Sequence, residues 1–345
     1  MSKFIKRALA VILAITLVAA VFAGCSNGRK QADIGLFYCS AEANSKYQVD
    51  KIGEELKKLG YTTKEYSFAD SNDLAAVLNT AVTETKAIYV PTDNTCASNA
   101  ELINNICDPA GIPVIAGEEG ICEGCGVATL SISYYDLGVA TAKMAYEILV
   151  NGADISTMDI SYVDASTLVK KIDKSRADKL GIEVPEGFAE IGAESASENK
   201  IPDGLPTYTG DKVFNIGICQ LIQHVALDAA TQGFMDALTQ MLGKDHVNFD
   251  QQNASGDSAT CATIVNQFVS KNVDLILANA TPALQAAASA TNTIPILGTS
   301  VTEYGVALDI KDFNGKTGIN VSGTSDLAPL DQQAALFQEL GIAKD

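Results

Sequence analysis

Short apolar runs alternate with longer amphipathic stretches along the first half of the chain after residue 33. The short runs have the apolar continuity of buried strands, and we predict strands at residues 34–38, 61–68, 87–90 and 112–116. The longer stretches carry apolar residues at helical spacing, and we predict helices at residues 49–59, 72–82 and 98–107. Strands and helices that alternate in this order predict a parallel sheet covered by helices.

The same alternation returns in the second half of the chain. We predict strands at residues 214–219, 247–251, 275–278 and 294–297, and helices at residues 226–241, 258–270 and 282–290. After its third helix each half carries a similar strand, Ile112-Pro-Val-Ile in the first half and Ile294-Pro-Ile-Leu in the second. The two halves are therefore predicted to form two similar lobes.

Between the halves, residues 187–211 are rich in Glu, Ser, Pro and Gly and lack periodicity, which is typical of an exposed linker. The predicted fold is α/β, with two doubly wound parallel-sheet lobes, residues 34–186 and 212–345, joined by a hinge. Ligands bind outside the carboxyl ends of the strands in such sheets. Two facing lobes place that position in the cleft between them, which predicts a ligand-capture protein that closes by a hinge.

The N-terminus has the layout of a bacterial export signal. Positive residues precede an apolar run at residues 8–22, and small residues lie directly before Cys25, as in a lipobox. We predict a lipoprotein signal peptide at residues 1–24, lipidation of Cys25 and a tether at residues 25–33. Phe22 departs from the Leu that is usual three positions before the cysteine. A single membrane anchor is the alternative, although a run of fifteen residues is short for a span.

Composition narrows the classes of function. The chain has 345 residues, and its net charge of −18 becomes −21 if the predicted signal peptide is removed, which argues against nonspecific nucleic-acid binding. A hydrophobic content of 47% with 19% charged residues excludes a mainly disordered chain. With two histidines and no Walker or Gly-x-Gly-x-x-Gly motif, the sequence indicates neither an enzyme nor a cofactor or metal site.

Two of the eight cysteines, Cys122 and Cys125, form a Cys-x-x-Cys pair between Gly120 and Gly126. A redox-active pair is expected at a helix N-terminus, and a zinc site requires a second pair of ligands. We therefore predict that this pair lies in a loop, as a local disulfide or as free thiols, and that it holds no metal.

Several sequence blocks resemble a known family. The blocks in the first half are Ser40-Ala-Glu-Ala-Asn-Ser45, Tyr89-Val-Pro-Thr-Asp-Asn94, Ala116-Gly-Glu-Glu-Gly120 and Ser133-Tyr-Tyr-Asp-Leu-Gly138. The blocks in the second half are Gln220-Leu-Ile-Gln-His-Val-Ala-Leu-Asp228, Ala280-Thr-Pro-Ala283 and Val321-Ser-Gly-Thr-Ser-Asp326. They resemble, respectively, the C-terminal and N-terminal lobes of ABC-transporter substrate-binding proteins of the tryptophan/tyrosine type, which have the type I periplasmic-binding fold. The resemblance covers nearly all of residues 34–186 and 212–341.

The order of the lobes departs from that family, because the lobe with the Gln220 block comes second here. The sequence therefore resembles a circular permutant, which arose naturally or as an artefact of the gene model. The resemblance implies that the helix at residues 136–150 crosses to the second lobe and that the helix at residues 329–340 crosses back. It also implies that Leu340 lies close to Ile34.

The resemblance implies an amino-acid ligand, with an aromatic one favoured. Hydroxyl and N–H groups at helix N-termini suit its carboxylate, and Asp93 and Glu118 at adjacent strand ends suit its ammonium group. Tyr134, Tyr135 and Tyr304 could contact an aromatic ring. Helix capping and packing are the alternative roles. The predicted ligand-binding residues are Ser40, Asn44, Ser45, Thr92, Asp93, Asn94, Glu118, Gln220, His224, Thr281 and Ser300.

We therefore expect a monomeric, lipid-anchored extracytoplasmic protein that delivers a small ligand to an ABC permease in the membrane, without a cofactor. A sensory receptor ectodomain of the same fold and a sugar- or nucleoside-binding protein are alternatives. An enzyme on a doubly wound fold and a nonfunctional rearranged gene are further alternatives.

Overall fold

The structure is a computed structural model that describes residues 31–162, 168–192 and 200–343. The predicted signal peptide, Cys25 and most of the predicted tether lie outside the described residues. Within the described ranges, no helix is both long and apolar enough to cross a bilayer.

Seven strands of the described chain form the first sheet, and the helices that cover it complete the first lobe. The strands are β1 (Ala32–Cys39), β2 (Thr63–Phe68), β3 (Thr85–Val90), β4 (Val114–Ala116), β5 (Ala128–Ser131), β7 (Val169–Ile172) and β8 (Ala189–Glu190). The helices are α1 (Ala43–Lys58), α2 (Ser71–Glu84), α3 (Asn94–Ser98), α4 (Ala100–Ala110), α5 (Glu119–Cys125) and α7 (Lys174–Leu180). The spatial order is β2-β1-β3-β4-β5-β7-β8, and only β5 and β7 pair antiparallel.

Six further strands of the described chain form the second sheet, in the second lobe. The strands are β6 (Ser161–Tyr162), β9 (Phe214–Gln220), β10 (Val247–Asn253), β11 (Leu275–Asn279), β12 (Ile296–Val301) and β13 (Val321–Ser325). The helices are α8 (Val225–Leu242), α9 (Ser258–Lys271), α10 (Thr281–Ala290) and α11 (Tyr304–Ala307). The order is β10-β9-β11-β12-β13-β6, and every pairing is parallel.

Helix α6 (Tyr134–Leu149) connects the two lobes, since it follows β5 of the first sheet but packs along α8 of the second lobe. Val139 and Ala142 of α6 share one apolar core with Phe234 of α8 and Ile216 of β9. Strand β6 then pairs with β13, and β7 pairs with β5 in the first sheet. The chain therefore passes between the lobes more than once.

Helix α12 (Leu330–Glu339) makes a crossing in the opposite direction, from β13 to the first lobe. Phe337 and Leu340 share a core with Ile34. The buried amide of Gln333 accepts a hydrogen bond from the Tyr89 hydroxyl at 2.6 Å and donates to two backbone carbonyl groups of the first lobe at 2.9 and 3.1 Å. These bonds attach α12 to the strand ends beside the interlobe cleft.

The α/β fold predicted from the hydrophobic pattern is confirmed, although several element bounds differ. Helix α1 begins at Ala43, six residues before the predicted start at residue 49. The prediction missed the first turns because the side chains that they bury, those of Asn44, Ser45 and Gln48, are polar. A pattern of apolar residues does not reveal a helical turn that buries polar groups. In the predicted linker, residues 189–190 form β8 and extend the first sheet.

The prediction that Cys122 and Cys125 lie in a loop is wrong, because both belong to helix α5. The Glu118 side chain caps this helix by accepting hydrogen bonds from two backbone N–H groups of its first turn. Nearby glycines hide the short helix from an analysis of periodicity. Both cysteines are buried free thiols in the core of the first lobe.

The close contact between α6 and α8 leads us to predict that position 138 requires glycine. A Cβ added at Gly138 would overlap the backbone carbonyl oxygen of Ala230, which cannot move without shifting α8. We expect Gly138→Ala to lower the free energy of unfolding by about 3 kcal/mol, the upper end for overpacking, measured by denaturant or thermal unfolding. The matched control is Gly53→Ala in α1, whose new Cβ meets only the Leu36 side chain at 3.3 Å and should be neutral or stabilising. Equal effects of the two substitutions would contradict the tight helix contact.

Candidate ligand-binding cleft

A small cavity lies between the lobes, where parallel strands of both sheets end. Its volume is about 20 Å³, which leaves room for about one water molecule. The first lobe lines it with Glu42, Asn44, Thr92, Asp93, Asn94, Ala97 and Glu118, the second with His224, Leu227, Thr281, Ser300 and Thr302, and the crossing segments with Tyr134 and Asp326. The structure therefore shows a cleft between two lobes in a closed form.

Two carboxylates meet at the start of α3. Asp93 caps this helix and accepts hydrogen bonds from two backbone N–H groups at 2.8 and 2.9 Å. Glu42 accepts hydrogen bonds from the backbone N–H groups of Asn94 at 3.1 Å and of Thr95 at 3.0 Å. Burial raises the pKa of both carboxyl groups, and the charge of Asp93 raises the pKa of Glu42 further. Asp93 thus uses one oxygen to cap α3 and the other to accept the backbone N–H of Cys39 at the end of β1.

Glu118 is a third capping carboxylate at the cavity wall. It accepts hydrogen bonds from the backbone N–H groups of Gly120 at 2.7 Å and Ile121 at 2.5 Å. Burial raises the pKa of Glu118 to about 7, although these two bonds oppose the shift. Of the described residues that line the cavity, none is a lysine or arginine, so no cationic side chain compensates these acids there.

Two residues of the second lobe adopt left-handed backbone conformations beside the cavity. Ala280, directly before α10, has a φ of 87°, and Ser300 in β12 has a φ of 54°. Conformations of this kind cost on the order of 1–3 kcal/mol each and cluster at ligand sites. The strain is located where Thr281 and Ser300 line the cavity.

Among the described residues, three side-chain hydrogen bonds join the lobes across the cleft. Asn44 Nδ2 donates to Thr281 Oγ1 at 2.9 Å, and Gln48 Nε2 donates to Thr302 Oγ1 at 3.5 Å. His224 Nε2 lies 3.3 Å from Asn94 Oδ1. These contacts exist only while the lobes face each other, so they report and stabilise the closed form.

Asp326 lies in the segment that connects β13 to α12, and it is buried. Its Oδ2 accepts a hydrogen bond from the Tyr134 hydroxyl at 3.1 Å, whereas its Oδ1 has no partner among the described residues. Burial raises the pKa of Asp326 to about 6, partly offset by the hydroxyls of Thr302 and Tyr134. Within the described part of the chain, one carboxylate oxygen of Asp326 therefore has no hydrogen-bond partner, although the Thr302 hydroxyl is near enough to lower its pKa.

Unpartnered polar atoms are concentrated at this cavity. Among the described residues, seven buried side-chain atoms lack a hydrogen-bond partner, and four of them belong to residues that line the cavity. These four are Asn44 Oδ1, His224 Nδ1, Ser300 Oγ and Asp326 Oδ1. Because buried polar groups are otherwise almost always paired, such a concentration indicates a site prepared for a polar ligand.

Eight of the eleven predicted ligand-binding residues line the cavity, namely Asn44, Thr92, Asp93, Asn94, Glu118, His224, Thr281 and Ser300. Ser40, Ser45 and Gln220 do not line it. The Ser40 and Ser45 hydroxyls donate to backbone carbonyl groups, and the Gln220 amide bonds to Asp228 and Thr231. Their hydrogen-bonding groups are thus directed at the protein itself.

Sequence reasoning did not single out Glu42, Thr302 and Asp326 as site residues. Glu42 lies within one of the sequence blocks that carry the family resemblance, and Asp326 is the last residue of another. Membership of these blocks is the sequence feature that could have indicated both residues. Of the three tyrosines considered, Tyr134 lines the cavity, whereas Tyr304 donates to the Thr324 carbonyl and Tyr135 to Asp236.

A two-lobed α/β architecture with chain crossings beside a polar interlobe cleft defines the type I periplasmic-binding fold. The sequence profile of the family described as ABC transporter substrate binding protein matches residues 29–195 and 215–341. The chain belongs to this family, which is defined by solute binding rather than by catalysis.

Known proteins resemble the chain either in sequence or in fold. A tyrosine-binding protein of Clostridioides difficile is 40% identical over 164 residues, which are 47% of this chain and 46% of that protein, so the chain spans about half the length of this relative. A solved ABC transporter solute-binding protein from Mycobacterium smegmatis with bound glycerol is 11% identical and covers 91% of this chain and 88% of its own, with a TM-score of 0.58. A solved carbohydrate-transporter solute-binding protein from Agrobacterium radiobacter in complex with D-arabinose is 12% identical and covers 92% of each chain, with a TM-score of 0.55. The two structures support the two-lobed fold.

The raised pKa of the buried Asp326 carboxyl group predicts how the stability of the protein depends on pH. Its raised pKa means that the folded protein holds this proton more tightly than the unfolded chain, so its contribution to stability falls as pH rises from about 4 to about 6. We expect Asp326→Asn to stabilise the unliganded protein by on the order of 1–3 kcal/mol at pH 7.5 and by little at pH 4, measured by thermal unfolding. The control is Asp203→Asn at an exposed position. A destabilised Asp326→Asn variant at pH 7.5 would contradict this account.

Proposed function

We propose that this protein captures an amino acid, with an aromatic one favoured, for an ABC importer on the outer side of the cytoplasmic membrane. The observation that carries the proposal is the set of unpartnered buried polar atoms around one interlobe cavity. The family membership supports solute capture, and the name of the tyrosine-binding relative supports an amino-acid ligand.

The proposed partner of the ligand ammonium group is Asp326. Its Oδ1 is buried and has no partner in the described part of the chain, whereas Asp93 and Glu118 already accept backbone hydrogen bonds with both carboxylate oxygens. An ammonium group would neutralise a carboxylate that has no cationic neighbour in the cavity lining, and hydrogen bonds between charged groups are the stronger ones. Asn44 Oδ1 offers a second acceptor, since Asn44 Nδ2 is bonded to Thr281.

The proposed partners of the ligand carboxylate are hydroxyl and N–H groups of the second lobe. Ser300 Oγ is buried and has no hydrogen-bond partner among the residues that the structure describes, and Thr281 begins α10, where the first N–H groups lack intrahelical acceptors. A helix N-terminus also favours negative charge through its dipole. This arrangement needs no arginine, in agreement with the lining residues.

An aromatic side chain would contact Tyr134, Leu227 and Ala97, which give the cavity its apolar surface. The lobes are closed over the cavity, so they must separate to admit an amino acid. The crossing segments near Tyr134 and Asp326 are the proposed hinge, because they join the lobes and contact each other through the hydroxyl–carboxylate bond at 3.1 Å.

We also propose that the chain is a circular permutant of its family, with lobes divided as predicted from sequence. Two observations support this. The curated relative matches only about half of each chain, whereas the family profile matches segments in both halves. Ile34 and Leu340 belong to one hydrophobic core, so a connection between these points would not disturb the fold.

A thermal-shift screen tests the proposed ligand class. The purified protein is titrated with tyrosine, tryptophan, phenylalanine, leucine, arabinose and a nucleoside. We expect an aromatic amino acid to stabilise the protein by about 2.7 kcal/mol at 100 times its Kd, and Asp326→Asn to abolish the shift. Ser40→Ala, outside the cavity, is the control that should retain it. Stabilisation by the sugar or nucleoside alone would overturn the assignment.

Membrane anchoring through Cys25 is proposed from the sequence alone. In a bacterial host, Cys25→Ser should prevent incorporation of labelled fatty acid and move the protein from the membrane fraction to the soluble fraction. Ser26→Ala should leave both readouts unchanged. Equal labelling of the wild type and Cys25→Ser would exclude lipidation at this residue.

A further inference from the structure

A chain of hydrogen bonds runs across the cleft from Glu42 through Asn94 to His224. Glu42 Oε2 accepts from both the backbone N–H of Asn94 at 3.1 Å and its side-chain Nδ2 at 3.2 Å. On the other side, Asn94 Oδ1 lies 3.3 Å from His224 Nε2. Glu42 and Asn94 belong to the first lobe and His224 to the second, so the chain forms only on closure.

The chemistry of these groups determines where the imidazole proton lies. Both oxygens of Glu42 accept backbone N–H groups, which favours the carboxylate, so the Asn94 amide directs its NH2 group at Glu42 and its oxygen at His224. An amide oxygen only accepts, so His224 Nε2 must carry the proton and donate it to Asn94. In a neutral imidazole, Nδ1 is then an acceptor.

His224 Nδ1 is buried and has no partner within the described residues. Burial lowers the pKa of His224 to about 4, although Asp228 opposes this shift, so the ring is neutral near pH 7. His224 also lines the cavity that Asn44 and Asp326 line. Asn44 Oδ1, Asp326 Oδ1 and His224 Nδ1 are thus three unpaired acceptors at one cavity, the number that the three N–H bonds of an ammonium group require.

We propose that His224 is a specificity-determining residue that accepts a hydrogen bond from the ligand ammonium group through Nδ1. Glu42 and Asn94 are positioning residues that hold the ring in this tautomer when the cleft closes. The inference rests on the proposed amino-acid ligand, and it adds that recognition of the amine is completed only in the closed form.

Two substitutions at His224 separate the two ring nitrogens. In His224→Gln the amide can replace Nε2 and keep the bond to Asn94, but the acceptor at the Nδ1 position is lost. In His224→Asn the amide oxygen can take the Nδ1 position, but the bond to Asn94 is lost. The probes are L-tyrosine and its desamino analogue 3-(4-hydroxyphenyl)propanoate, with binding measured by calorimetry at pH 7.5.

We expect His224→Gln to weaken L-tyrosine binding by roughly 10- to 100-fold, as for a hydrogen bond to a charged group, and to change binding of the desamino analogue by less than about threefold. His224→Asn should lose roughly tenfold or less. His246→Gln, outside the cavity, is the control that should bind as the wild type does. Equal losses for both probes, or a greater loss in His224→Asn than in His224→Gln, would overturn the inference.

Nitrogen-15 NMR of the imidazole groups tests the relay without reference to affinity. The chain has only two histidines, and His246→Gln leaves the signals of His224 alone. We expect the Nε2–H tautomer, with a slowly exchanging proton in the L-tyrosine complex and faster exchange in Asn94→Ala. An Nδ1–H tautomer would refute the proposal. If L-tyrosine does not bind the wild type, the proposed ligand class fails separately, and the tautomer and exchange in the unliganded protein still decide the relay.

Discussion

The direct backbone contact between helices α6 and α8 is the interaction on which the rest of the molecule depends. Helix α6 follows the last parallel strand of the first sheet but packs on the second lobe, and Gly138 and Gly233 let the two helix backbones meet without intervening side chains. Its first residue is Tyr134, whose hydroxyl bonds to Asp326 at the opposite crossing. The helix contact thus fixes the position of the site as well as the connection of the lobes.

The closed cleft buries several carboxyl groups, and the free-energy cost of ionising them depends on their hydrogen-bond partners. Glu42, Asp93 and Glu118 accept N–H groups at helix starts. Asp326 instead accepts one hydrogen bond, from the Tyr134 hydroxyl, among the described residues. Closure without a cation therefore opposes ionisation of Asp326, and a ligand ammonium group would remove that cost. Since a ligand shifts an equilibrium only through its differential affinity, an unpaired buried carboxylate is a physical means by which an amine would favour the closed form.

The sequence allowed the two-lobed α/β fold to be predicted because apolar runs of strand length recur between amphipathic helices in both halves. It did not show that both carboxylate oxygens of Asp93 and of Glu118 accept backbone N–H groups, because helix capping and ligand binding use the same residue types at the same strand ends. Nor did it single out Asp326, because its partner Tyr134 is 192 residues away in sequence and the sequence does not show that the other carboxylate oxygen is left without a partner among the described residues. Tertiary geometry, rather than residue type, separates the cap from the ligand contact.

The core shared by Ile34 and Leu340 places the first strand of the described chain beside its last helix. The cleft depends on which segments cross between the sheets, and α6 and α12 make those crossings whatever the order of the lobes in the chain. Gln333 of α12 is bonded to Tyr89, Gly117 and Leu130, so the segment that carries Asp326 is held against strand ends of the first lobe. A rearranged order of lobes that preserves these crossings therefore preserves the arrangement of the site.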